Sequence, residues 1–209
     1  MTAAVVAGLL AGYGIAIPVG AVGAYLVAVT ARAGWRTGAG AALGVATADG
    51  VYALLAVAGG SALVPLLAPV MTPLRWASAV VLAVLAVRAA WMALAAYRSG
   101  GLASRDDGTA LTPARAYLTF LGITILNPMT VIYFAALILA TGPSAPTSLP
   151  DRTAFVLAAL AASASWQLLL ALGGTLLGRT LTGSRGRLTT ALASSTLIVV
   201  LAVRLVANS

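Results

Sequence analysis

Asp49 is the residue whose setting most invites chemistry. The chain carries twelve arginines and four aspartates, and it has no Glu, Lys, His or Cys. Asp106, Asp107 and Asp151 lie in polar stretches. Asp49 stands inside an apolar run, where a carboxylate costs roughly 2.5–3.5 kcal/mol on insertion scales. Such residues commonly face a cavity and mark a path for a proton, an ion or a substrate. Asp49 can take up a proton, pair with a substrate ammonium, or alternate between the two. A structural pair with Arg88 is the plainer use. Water-poor surroundings disfavour the charged carboxylate and a nearby cation favours it, so sequence leaves its resting charge open.

Other chemistry is excluded by absence. Without Cys there is no disulfide, thiol relay or thiolate metal site. Without His, imidazole base catalysis and most zinc sites are gone. An enzyme would need a Ser or Thr nucleophile helped by a carboxylate, and Ser163 and Ser165 have no evident base beside them in sequence. No enzyme activity, metal site or cofactor is therefore expected.

The remaining polar candidates sit at helix breakers or inside apolar runs. Pro18, followed by Gly20 and Gly23, interrupts the first run, and Asn127-Pro128 interrupts the fourth. A proline within a helix removes a donor and frees the carbonyl four residues back, here those of Gly14 and Thr124. Freed backbone at membrane depth is tolerated only against protein or water. Trp166 and Gln167 occupy the middle of the fifth run, and a buried Gln is costly without a partner. An interhelical hydrogen bond is its plainer role. Tyr52 and Tyr133 can simply pack.

These groups need elements to hold them, and the composition says what kind. Apolar residues make up 61% and charged residues 8% of 209, against roughly a quarter charged in soluble domains. Mean hydropathy is +1.05. A soluble globule cannot be dressed with so few charges, so lipid is the expected solvent. A net charge of +8 then reads as loops anchored to anionic headgroups, not as a nucleic-acid face. Six segments are long and apolar enough to span at about 20 residues each: 4–29, 39–60, 74–96, 116–140, 153–177 and 188–207. The first lacks a basic n-region and is too long for a signal peptide. No stretch remains for a soluble domain, so residues 1–209 read as one all-α, polytopic transmembrane domain.

Arg32, Arg36, Arg98, Arg105, Arg115, Arg179, Arg185 and Arg187 fall in alternate loops on one side; Arg75, Arg152 and Arg204 fall on the other. The positive-inside rule turns the first group to the cytoplasm and both termini outward. An internal repeat predicts the same. Gly14-Ile-Ala-Ile-Pro18 resembles Gly122-Ile-Thr-Ile-Leu-Asn-Pro128; Tyr52 to Gly60 resembles Trp166 to Gly174; Val84-Leu-Ala-Val-Arg88 is repeated at Val200 to Arg204. Three helices per half is an odd number, which inverts the second copy, as in many secondary transporters. The halves are about 1–97 and 116–209, joined by a cytoplasmic linker of about 98–115. Small-residue stripes, Gly8-Gly12-Ala16-Gly20 and Gly40-Gly44-Ala48, read as close helix packing, within the bundle or across a homodimer.

The same residues resemble the LysE/RhtB family of amino-acid exporters over essentially the whole chain. The family's I-P-x-G-P break stands here as Ile17-Pro18-Val19-Gly20-Ala21, its G-x-x-x-G-D run resembles Gly44 to Gly50 around Asp49, and its N-P-K motif is Asn127-Pro128-Met129. Ala21 replaces the second proline and Met129 the lysine. The resemblance implies proton-driven export of amino acids or similar metabolites across a bacterial plasma (inner) membrane, with membrane lipid and a small-molecule substrate as partners. The expected midplane site comprises Pro18, Gly20, Asp49, Tyr52, Asn127, Pro128, Trp166 and Gln167, with Asp49 coupling the proton. A metal or inorganic-cation exporter on a related frame, or a non-transporting scaffold subunit, are the alternatives.

Overall fold

A computed structural model describes residues 1–18, 20–59, 69, 71–98, 111–127, 130–134, 148–180 and 184–207. All regular structure among them is helical. Seven helices are long: α1 (Thr2–Ala16), α2 (Ala21–Ala33), α3 (Trp35–Gly59), α4 (Met71–Arg98), α5 (Pro113–Ile125), α6 (Leu149–Thr180) and α7 (Ser184–Ala207). Residues 130–134 are also helical. Among the described residues, α3, Thr72–Ala95 of α4 and Leu149–Gly178 of α6 are apolar and long enough to cross a membrane. The bent pair α1–α2 makes a fourth such span if taken together.

The first span breaks at its proline. Ile17 still donates to the Tyr13 carbonyl at 2.9 Å, but Pro18 has no N–H to continue the ladder. α2 restarts when Ala24 donates to Gly20 at 3.0 Å, and the two halves are bent by 76°. The second break follows α5. Asn127 donates to the Thr124 carbonyl at 3.1 Å and accepts from Thr130 at 3.1 Å. The Thr124 carbonyl, expected to be freed by Pro128, is thus satisfied by a tighter last turn, the usual remedy for an orphan at a helix end. Pro128 and Met129 lie outside the described residues, as do 135–140 of the fourth predicted segment.

Glycines set the helix register. A Cβ on Gly8 or Gly12 of α1 would run into the carbonyl of Phe155 or Ala159 on α6, and one on Gly178 would run into that of Ala31 on α2. Gly174 approaches the Val27 carbonyl in the same way. All four pairs lie 147 residues apart in the chain, so α1 and α2 both follow α6 in the same N-to-C sense. On the other side, Gly40 and Gly44 of α3 press on the carbonyls of Pro113 and Tyr117 of α5, again a parallel pair at constant separation. Both stripes are therefore used within the bundle, except Gly20, where an added Cβ would meet nothing within 4 Å among the described residues.

One end of the bundle collects arginine-bearing junctions. Arg32 ends α2 and Arg36 begins α3, joined by Gly34 alone, whose φ of +82° favours a residue without a Cβ. Thr37 donates to the Leu111 carbonyl at 3.1 Å, just before Arg115, and Gly178 meets Ala31 at the same end. Asp151, which the Met1 ammonium meets at 2.8 Å, lies at the opposite end. Between the ends, Tyr25 stacks on Phe120 at 5.1 Å over a core with Leu26, Leu82 and Ile198. Trp76, Val80, Val84, Val87 and Trp91 form an exposed apolar stripe along α4. Such a face would be an aggregation hazard in water and is ordinary in lipid.

Candidate functional site

α3 and α6 cross at mid-length, and the crossing holds the buried acid. Asp49 is the fifteenth of the 25 residues of α3, about 21 Å along it, and only 3% exposed. Ser163 of α6, fully buried, donates to its Oδ2 at 2.6 Å. That length suits a hydroxyl donating to a carboxylate. Ala48 and Ala53 on α3, with Ala159 and Ala162 on α6, are almost completely buried, and Gly50 faces Leu160. Small side chains let the two helices come near enough for so short a bond.

The alternative of a structural pair with Arg88 does not form: Arg88 is exposed, and among the described residues Asp49 has no ion pair. Ser163, which has no base beside it in sequence, has this carboxylate beside it in the fold. Sequence carried a signal for the pair that the residue types alone did not: Ser163 lies 114 residues beyond Asp49, the offset that relates Tyr52 to Trp166.

Both helix breaks abut this crossing. One turn beyond Asp49, the Tyr52 hydroxyl donates to the Ile125 carbonyl at 2.6 Å, the last residue of α5. That carbonyl is one of the four that a helix leaves unpaired at its end. Tyr52 thus does more than pack, and it fastens the second break to the helix of Asp49. On the other side, two residues beyond Ser163, Ser165 donates to the Ala162 carbonyl at 2.8 Å. Its oxygen meets the Tyr13 hydroxyl at 3.0 Å. With its own hydrogen so used, Ser165 accepts from Tyr13, one turn before Pro18.

The register of α1 and α2 on α6 lays the first break beside residues 164–167, which include Trp166 and Gln167. Gln167 is 6% exposed. Among the described residues its Oε1 is buried without a hydrogen-bond partner, as are Trp166 Nε1 and Thr124 Oγ1. An acceptor, a donor and a hydroxyl with unmet capacity therefore border the two breaks. Buried groups left so cost about 1–3 kcal/mol each, which makes such atoms markers of function or of bound solvent and solute.

Of the predicted residues, Asp49 lies at the crossing, Tyr52 lies one turn on and holds Ile125, two residues before Asn127, and Trp166 and Gln167 lie one turn beyond Ser163 on α6. Pro18 and Gly20 lie at the exposed edge of the first break, and Pro128 is outside the described residues. Tyr133 also does more than pack, donating to the Ala11 carbonyl at 3.0 Å. Among the described residues no group of three or more His, Cys, Asp or Glu gathers where a metal ion could be held.

No curated protein and no solved structure matches the chain. A family model does, over residues 14–209, spanning both breaks, the Asp49–Ser163 crossing and every helix but the start of α1. The chain belongs to the LysE type translocator family.

Proposed function

We propose that this protein is a secondary active exporter of amino acids or related small metabolites, coupled to protons and working by alternating access. Membership of the family places it in a membrane as a transport protein for amino acids or related compounds. The buried Asp49–Ser163 bond between the two breaks carries the finer reading. A single carboxylate held at mid-helix by a neutral hydroxyl, with no cation on it among the described residues, is free to exchange a proton or a substrate ammonium. Moving a monovalent cation out against an inside-negative potential costs about 2.3 kcal/mol per 100 mV, and one inward proton makes that step electroneutral. Substrate carboxylate and amino groups would find Trp166 Nε1, Gln167 Oε1 and the uncapped first turn of α2 beyond Gly20.

The frame for this cycle is two inverted three-helix halves, with six spans, a cytoplasmic linker over about 98–115 and both termini outside, in a bacterial plasma membrane. Supporting it, Asp49 and Ser163 are repeat-mates in direct contact, as residues beside a two-fold axis must be. Each half also has a broken helix following a long one in the same N-to-C sense at glycine contact distance. Convergence of Arg32, Arg36 and Arg115 at one end agrees with a cytoplasmic face there.

The test is efflux from proteoliposomes loaded with a panel of amino acids and, in parallel, divalent cations. Export of one or more amino acids, accelerated by an imposed pH gradient, is expected. Movement of divalent cations alone would replace this reading with metal export.

A further inference from the structure

The geometry points to Tyr133 as the gate on the arginine-poor side of the site, with Gly14 as the notch that receives it. This assignment rests on the transporter reading above. Tyr133 belongs to the short helical stretch after the second break, and its hydroxyl crosses to α1 to reach the Ala11 carbonyl at 3.0 Å. A Cβ on Gly14 would run into that hydroxyl oxygen. The ring can lie there because position 14 has no side chain.

Two features suit this contact to open and close. Ala11 sits within α1, so its carbonyl already serves the helix ladder, and Tyr133 uses the second lone pair. Parting the two strands no backbone acceptor, and the half-buried phenol can turn to water. Tyr52 differs, because its hydroxyl covers the Ile125 carbonyl at a helix end, where separation would leave an orphan. One contact is therefore built to release and the other to hold.

The gate is also linked to the site. Tyr133 stands edge-on to Phe134 at 5.5 Å, and Phe134 stacks on Tyr52 at 6.0 Å, one turn from Asp49. Around these rings Ala11, Ala53, Ala56, Phe155 and Ala159 close an apolar cluster. It lies between the breaks and the end that holds Asp151. In an exporter this is the side of release, so the Tyr133–Ala11 contact must part for substrate to leave.

The absence of cysteine allows a direct test. Ile15, packed on the cluster one turn nearer the break than Ala11, is replaced as Ile15→Cys. Its rate of modification by a charged methanethiosulfonate is then measured in nanodiscs, where both faces are open. Added Tyr133→Phe, which keeps the ring, should raise that rate roughly two- to tenfold, the change in open population expected from one net hydrogen bond. Gly14→Ala should act in the same direction by filling the notch. Tyr117→Phe, whose hydroxyl meets Thr47 on the other side of the site, should leave the rate unchanged. Wild-type rates in both Tyr133→Phe and Gly14→Ala would overturn the gate, even if the wild type exports amino acids. A raised rate in a protein whose wild type moves no amino acid would uphold the gating contact and refute the amino-acid reading instead.

Discussion

Replacing Ser163 with alanine isolates the bond on which the candidate site is built. The hydroxyl is fully buried and 2.6 Å from Asp49 Oδ2. Alanine differs by one oxygen, so little cavity is created and the loss is mainly that of the hydrogen bond. A neutral pair contributes about 0.5–1.5 kcal/mol and one to a charged group about 1.5–3. Pairs inside membrane bundles average roughly 0.6 kcal/mol and reach about 1.7. Asp49→Ala removes a buried carboxylate as well as the bond, so only a double-mutant cycle extracts the pair. Unfolding of the wild type, both single variants and the double variant in micelles should give a coupling of roughly 0.6–3 kcal/mol. At about 2–4 °C per kcal/mol for a chain of this size, the signal is resolvable by thermal melts. A value near the lower figure indicates a neutral partner and one near the upper figure a charged carboxylate. Additivity within about 0.3 kcal/mol would refute the claim that these side chains are bonded in the folded protein.

Three further substitutions probe packing and the unpaired polar atoms. Gly44→Val places a branched side chain against the Tyr117 carbonyl, a backbone atom that cannot turn aside. It should cost about 1–3 kcal/mol or more by overpacking, lowering the melting temperature. Gly122→Ala, whose added Cβ would meet nothing within 4 Å among the described residues, should stay within about 0.5 kcal/mol of wild type. Gln167→Leu removes a buried oxygen without a partner. Melts should therefore show stability unchanged or raised by about 1–3 kcal/mol, while efflux from loaded proteoliposomes falls. A variant that loses stability but transports normally would assign Gln167 to the scaffold.

Local signals in the sequence carried further than tertiary ones. Pro18 and Asn127-Pro128 announced both breaks because proline's missing donor acts whatever surrounds it. The glycine stripes announced close packing, but whether the partner was α6, α5 or a second copy depends on helix order in space, which spacing does not contain. Asp49 was conspicuous because a carboxylate in an apolar run is rare. Its partner was not, since a serine among alanines is unremarkable until the 114-residue offset is applied to it. The proline rule alone frees the Thr124 carbonyl, because it ignores that Asn127 can tighten the turn and donate to it. The contacts of Tyr52 and Tyr133 join residues 73 and 122 positions apart, and an aromatic side chain gives no sign in sequence of which distant carbonyl it will reach.

Proton coupling at Asp49 is tested most sharply by comparing wild type with Asp49→Asn in proteoliposomes under an imposed pH gradient and with none. Asparagine keeps the size of the side chain and an acceptor for Ser163 but cannot bind and release a proton. The expected result is that the gradient accelerates export through the wild type, whereas Asp49→Asn gains nothing from it. Equal acceleration in both proteins would contradict the account.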